Sequence, residues 1–138
     1  MFCSAFDNYF LQAQRVRQLI QDDFDRVFAI PNHFSDTAGK IEDHTGSIDV
    51  ILHPSAIRTA PPVSEDKSDI SAYVQDTLTV PASLAGLPAL SVPIKCRSEK
   101  EEQGKISWPV GLGLVGQWGT DNLVLTVGKA IETMQSSR

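Results

Sequence analysis

From Ser4 to about Ala29, apolar residues recur at steps of three and four through Phe6, Tyr9, Phe10, Ala13, Val16, Leu19, Ile20, Phe24, Val27 and Phe28. This is the period of an amphipathic helix, and it predicts one with Ser4 as N-cap and Pro31 closing it. Gln12, Arg15, Gln18, Asp22 and Asp25 fall on the opposite, solvated side. The periodicity is then lost: residues 32–47 are polar and aperiodic, and predict an inserted surface loop longer than compact domains usually carry. A β-branched run, Ile48-Asp49-Val50-Ile51-Leu52, predicts a short strand that His53-Pro54 ends, and residues 54–69, with Pro54, Pro61 and Pro62, read as loop again.

Asp69 to Gly86 returns to helical spacing with Ile70, Tyr73, Val74, Thr77, Leu78, Ala82 and Ala85. Pro81 either kinks one helix there or separates two, and Gly86 supplies the stop. Two short extended runs follow, Ala89 to Ile94 and Val110 to Gly116, joined by the charged stretch Lys95 to Ser107, which suits a hairpin or a neighbouring pair. Asp121 is the expected N-cap of a last helix, with Leu123, Val124, Val127, Ala130, Ile131 and Met134 as its buried stripe. The order α, β, α, β, β, α, without internal repeats, predicts an α/β architecture: short, largely apolar strands packed with helices on both faces.

Composition narrows what such a chain does. At 138 residues it has the length of one domain, and 41% hydrophobic against 21% charged residues is ordinary globular usage. Twelve Lys and Arg against seventeen Asp and Glu leave a net charge of -5, which repels phosphate and argues against a free-standing nucleic-acid binder. Cys3 and Cys96 are far apart and form no CxxC, so they read as reduced structural thiols. No apolar run reaches the ~18 residues of a membrane span, and Met1 to Asp7 carries no basic or Arg-rich targeting pattern.

Motifs of known chemistry are sparse. Gly111, Gly113 and Gly116 spell G-x-G-x-x-G, but inside a strand-like run where close backbone approach explains glycine better than phosphate binding. His33, His44 and His53 are scattered over loop positions without metal-ligand spacing, and no serine sits in G-x-S-x-G. Asp22, Asp23 and Asp25 belong to the solvated side of the first helix, and the mixed charges of Lys95 to Glu102 to a solvated loop. Asp76 stands out: a carboxylate before a helix-interrupting proline and among apolar neighbours either holds a ligand ammonium or is a helix-surface acid.

The stretch Val80-Pro81-Ala82-Ser83-Leu84-Ala85-Gly86-Leu87-Pro88-Ala89-Leu90-Ser91-Val92-Pro93, followed by Trp108-Pro109-Val110-Gly111-Leu112-Gly113-Leu114-Val115-Gly116, resembles the C-terminal signature of the amidase signature family. Tyr9 to Arg17 with Asp23-Phe24-Asp25 narrows the resemblance to its glutamine-hydrolysing, tRNA-amidotransferase branch. The resemblance implies that residues 1–138 are a partial amidase domain, the end of a mixed β-sheet covered by helices and incomplete on its own, with 32–47 as an insertion. Such a piece is expected to expose apolar sheet edge.

The resemblance also implies a protein that hydrolyses glutamine and passes ammonia to a companion, which amidates Glu-tRNA(Gln). Amidotransferase subunits B and C are the implied partners, ATP and Mg belong to the partner, and this chain holds no cofactor or metal. In the family a Ser–cis-Ser–Lys triad does the hydrolysis. Its segments do not occur here, so no catalytic residue is assigned and the isolated chain is expected to be inactive. Asp76 occupies the family's position for the acid that anchors the α-amino group of glutamine, whereas Arg15 and Arg17 do not match the arginine that holds its carboxylate. Ser83, Trp108 and Gly113 stand where the family usually carries Asn, Leu and Gln. A different amide hydrolase of the same family and a non-catalytic interaction module are the alternatives. Similarity to organellar forms with insertions implies a mitochondrial location.

Overall fold

The computed structural model describes residues 9–32, 48–60, 71–95 and 108–136. The elements follow the expected order: α1 (Leu11–Val27), β1 (Val50–Pro54), α2 (Ser71–Ala85), β2 (Ala89–Ile94), β3 (Val110–Gly116) and α3 (Asp121–Ser136). The three strands make one sheet in the order β1-β3-β2, antiparallel throughout. β3 is therefore central, with Ile51 and Ala89 both opposite Val115. Ser4, Cys3, His33, His44, Cys96 and most of the 32–47 insertion lie outside the described residues.

The period of two along each strand sorts the side chains into two layers. On one face Val115 joins Phe28, Ala82, Ala85 and Leu87, with Ile20, Phe24 and Ile51 packed against them. On the other, Leu114, Val92 and Val124 form a second core with Val50, Leu90, Val127 and Ile131. Helices thus lie on both faces, α1 and α2 on one and α3 on the other.

α2 is a single helix with Pro81 inside it. Proline removes only the bond to the carbonyl four residues back, Thr77, and the helix continues because Ala82 and Ala85 are buried just beyond. It ends in a Schellman motif: Leu87 N–H donates to Ala82 O at 3.0 Å and Gly86 N–H to Ser83 O at 3.3 Å. Gly86 sits at φ 75°, the left-handed conformation this motif requires. Arg17 of α1 adds a bond from its Nε to Leu84 O at 2.6 Å, satisfying a further carbonyl of that helix end.

Four expectations are corrected. The buried side of α1 runs through Phe24, Asp25 and Phe28, while Val16 and Leu19 of the predicted stripe are 55% and 62% exposed. α1's first turns find no covering element among the described residues, so apolar spacing there is not matched by burial. Asp25, expected on the solvated side, is 2% exposed. In α3 the first helical bond, from Val124 N–H, is accepted by Thr120 O, which makes Thr120 the N-cap and Asp121 the first helical residue. The buried positions of α3 are Val124 and Gly128, with Ala130 and Met134 exposed.

Close approach of α3 to β3 depends on Gly116. A Cβ there would lie 2.5 Å from Thr120 Oγ1 and 2.6 Å from Val124 Cγ2. Both neighbours are β-branched and stiff at χ1, so they cannot swing aside. Gly116→Ala is expected to cost about 1–3 kcal/mol, read as a lowered urea midpoint with an unchanged slope. An unshifted midpoint would show that α3 yields without loss.

Candidate functional site

α2 presents two unlike sides. Ala82 and Ala85 are small enough to bring the helix close to Phe28 and Val115, and they define its inward face. At about 3.6 residues per turn, Tyr73, Asp76, Val80 and Ser83 fall on the far side. All four are exposed. The Asp76 carboxylate makes no hydrogen bond or ion pair among the described residues. It is flanked one turn away by Tyr73, 77% exposed, and by Val80, 40% exposed.

The arginines of α1 that are engaged face elsewhere. Arg17 is held on Leu84 O, and Arg26 pairs with Asp23 along α1 itself. The three acids grouped by sequence as one hydrated set separate accordingly: Asp23 is in that surface ion pair, and Asp22 Oδ1 accepts from Gln18 Nε2 at 2.9 Å. Asp25 is buried, and its Oδ1 accepts from Gln117 Nε2 at 3.0 Å. Gln117, fully buried, also accepts from Trp118 N–H at 2.7 Å through its Oε1. This bridge joins α1 to the exit of β3, ninety-two residues away along the chain. The second carboxyl oxygen of Asp25 has no hydrogen-bond partner among the described residues.

A second polar cluster escapes the sequence reading, which puts His53 in a loop. It lies in β1 opposite Gly113, which in turn faces Ser91 of β2. Its ring rests on Gly113, where a Cβ would come within 2.5 Å of Cε1, and its Nδ1 donates to Pro54 O at 2.8 Å. Ser55 and Ser91 hydroxyls meet at 2.6 Å above Gly111. The signal available in sequence was the alternation itself: residues 53, 55, 91, 111 and 113 share one sheet face. Gly111 and Gly113 are thus a floor beneath polar side chains, the kind of close approach that their strand reading predicts.

Where β2 ends, Gln135 of α3 donates through Nε2 to Pro93 O at 3.2 Å and accepts Lys95 N–H at 3.0 Å. The open groove of about 360 Å³ beside it, lined by Pro93, Lys95, Pro109 and Glu132, contains no convergent set of charges of one sign. Among the described residues no three His, Cys, Asp or Glu side chains come together as a metal site would need. No helix among them is long and apolar enough to cross a membrane.

Residues 2–125 match the family model described as Amidase. The chain is 48% identical over 134 residues to the A subunit of the mitochondrial glutamyl-tRNA(Gln) amidotransferase of Mycosarcoma maydis, which takes in 94% of this chain and 24% of that protein. With its counterpart from Neurospora crassa, also mitochondrial, the identity is 43% over 147 residues, 93% of this chain and 26% of the other. The crystal structure of the A subunit of glutamyl-tRNA(Gln) amidotransferase from Thermotoga maritima superposes with a TM-score of 0.63 at 31% identity, over 92% of this chain and 23% of that one. The chain spans about a quarter of the length of the curated relatives it matches. The stretch it matches is their C-terminal part.

Proposed function

Because this chain belongs to the amidase family, we propose that it is the C-terminal, substrate-binding segment of the A subunit of a glutamyl-tRNA(Gln) amidotransferase. The observation that carries the reading is similarity to that protein over nearly the whole chain, 94% of it at 48% identity. In this reading Asp76 receives the α-ammonium of glutamine, and the nucleophile that cleaves the amide comes from parts of the amidase fold that this stretch does not supply. The ammonia released passes to the B subunit, which uses ATP and Mg to convert Glu-tRNA(Gln) to Gln-tRNA(Gln). Mitochondria are the proposed location, after the relatives it resembles.

The outward apolar residues of α1 and α2 fit this role. Leu19, Tyr73, Val74 and Leu84 are exposed, and large apolar surface of this kind is stable in water only when another body covers it. The remaining amidase fold is that body.

Affinity capture of the tagged chain from its own cells tests the reading. The B and C subunits are expected with it, in a fraction that makes Gln-tRNA(Gln) from Glu-tRNA(Gln) when given glutamine, ATP and Mg. Recovery with neither of them, and without that activity, would overturn the proposal.

A further inference from the structure

α2 is anchored at its C-terminal end. Ala82 and Ala85, in its last turn, are buried with Phe28 and Val115, and Leu87 just beyond joins the same core. Upstream of Pro81 no described side chain of the helix is buried. Pro81 also lacks the N–H that would bond Thr77 O, so a rung between the two parts of the helix is missing.

Apolar burial fixes how close the helix end lies, but it is non-directional, and two alanine methyls leave the last turn free to rock on the core. The directional contact between α1 and α2 is Arg17 Nε, which donates to Leu84 O at 2.6 Å from sixty-seven residues away along the chain. Ala82 O and Ser83 O are taken by Leu87 and Gly86 N–H, so Leu84 O is the carbonyl of that turn left for an outside donor. A guanidinium suits it twice over: its charge opposes the negative end of the helix dipole, and its planar fork gives the bond a direction.

Asp76 lies eight residues before Leu84, about 12 Å along the helix axis. At that radius a rotation of roughly 10° about the last turn carries Asp76 by about 2 Å. A misplacement of about 1 Å, caused far from the chemistry, can cost an enzyme about 100-fold.

We propose that Arg17 is a positioning residue for Asp76: it sets the direction of α2 through Leu84 O and does not act on the substrate itself. The inference rests on the reading of Asp76 as the substrate's anchor and adds to it what fixes the anchor's place. Without the bond the helix end samples other directions, and apparent substrate affinity falls with the fraction of molecules still correctly placed. The strength of the bond itself bounds that fall.

The test is a double-mutant cycle on glutamine kinetics in the assembled amidotransferase. Arg17→Met keeps the stem and removes the donor; it is expected to raise the KM for glutamine roughly three- to tenfold, the ratio one partly exposed hydrogen bond supports, while kcat stays close to the parent's. Arg17→Lys, which returns a charged donor, recovers most of the loss. In an Asp76→Asn background Arg17→Met has no anchor left to place and raises the KM no further. An equal rise in both backgrounds would make Arg17 a general packing residue and overturn the proposal. So would an unchanged KM in Arg17→Met where Asp76→Asn raises it, a result that leaves the Asp76 reading standing. If Asp76→Asn itself leaves the KM unmoved, the Asp76 reading falls and the proposal with it. Should Arg17→Met fail to assemble, Arg17→Gln, which keeps an N–H donor without the charge, is read in the same way, with an expected rise of about twofold.

Discussion

Replacing Gln117 with leucine is expected to destabilise the fold by about 2–4 kcal/mol, a large loss for a single polar side chain. Leucine is close to Gln in size, so little volume is lost; the loss is one of hydrogen bonding. Gln117 Nε2 is the one described donor to the Asp25 carboxyl, and Asp25 is too deeply buried for water to take its place from bulk. Trp118 N–H loses its acceptor in the same step. A polar group left unpaired in the interior costs its full desolvation, whereas removing both partners together is far cheaper. Asp25→Leu combined with Gln117→Leu is therefore expected to recover part of what Gln117→Leu alone loses. Urea unfolding of the two single variants and the double one measures this. Strictly additive losses would mean that the pair is not energetically coupled.

Asp76→Asn is expected to raise the KM for glutamine roughly 10- to 100-fold in the assembled enzyme, the range of one charge-assisted hydrogen bond. The assembly matters to the size of the effect. Two unit charges about 4 Å apart attract by about 1 kcal/mol in bulk water and about 4 kcal/mol at an effective dielectric near 20. An exposed carboxylate on the chain by itself holds an ammonium no better than a surface ion pair does. In the proposed reading, cover from the rest of the amidase fold is what makes the same carboxylate selective. Calorimetry of the chain alone with glutamine should thus give no measurable heat at submillimolar concentrations, while steady-state glutaminase assays of the complex separate Asp76→Asn from the parent. Identical KM values in those assays would sink the assignment.

Much of this was legible in the residues because it depends on local period and backbone chemistry. The order of six elements follows from apolar spacing, and Gly86 ends α2 where only a left-handed residue could. β2 and β3 pair as neighbours, as their short apolar runs suggested. What was not legible depends on partners distant in sequence. Asp25 shares its spacing with Gln18 and Asp22, and periodicity cannot distinguish a hydrated acid from one whose partner, Gln117, arrives from the exit of β3. His53 was hidden by Pro54, which reads as a strand stop yet is tolerated as the last residue of an edge strand. The outward stripe of α1 failed for a different reason: amphipathic spacing records that a face will be covered, without saying that the cover lies within the same stretch. Asp76 was singled out by its position before Pro81 and by family resemblance, while Tyr73, counted in sequence as one more apolar position, is exposed.

The central place of β3 has a bearing on the order in which the protein is made. Among the described residues β1 pairs only with β3, about sixty residues later in the chain, and β2 meets the same partner across the charged connection. As the polypeptide leaves the ribosome from its amino end, β1 and then β2 emerge before the strand that pairs with both. The sheet exists only once β3 has followed them, and it registers both flanking strands in a single step. Until then Leu52, Leu90 and Val92 are aggregation hazards on the nascent chain, so translation pauses between β2 and β3 would be the ones that most burden the chaperones.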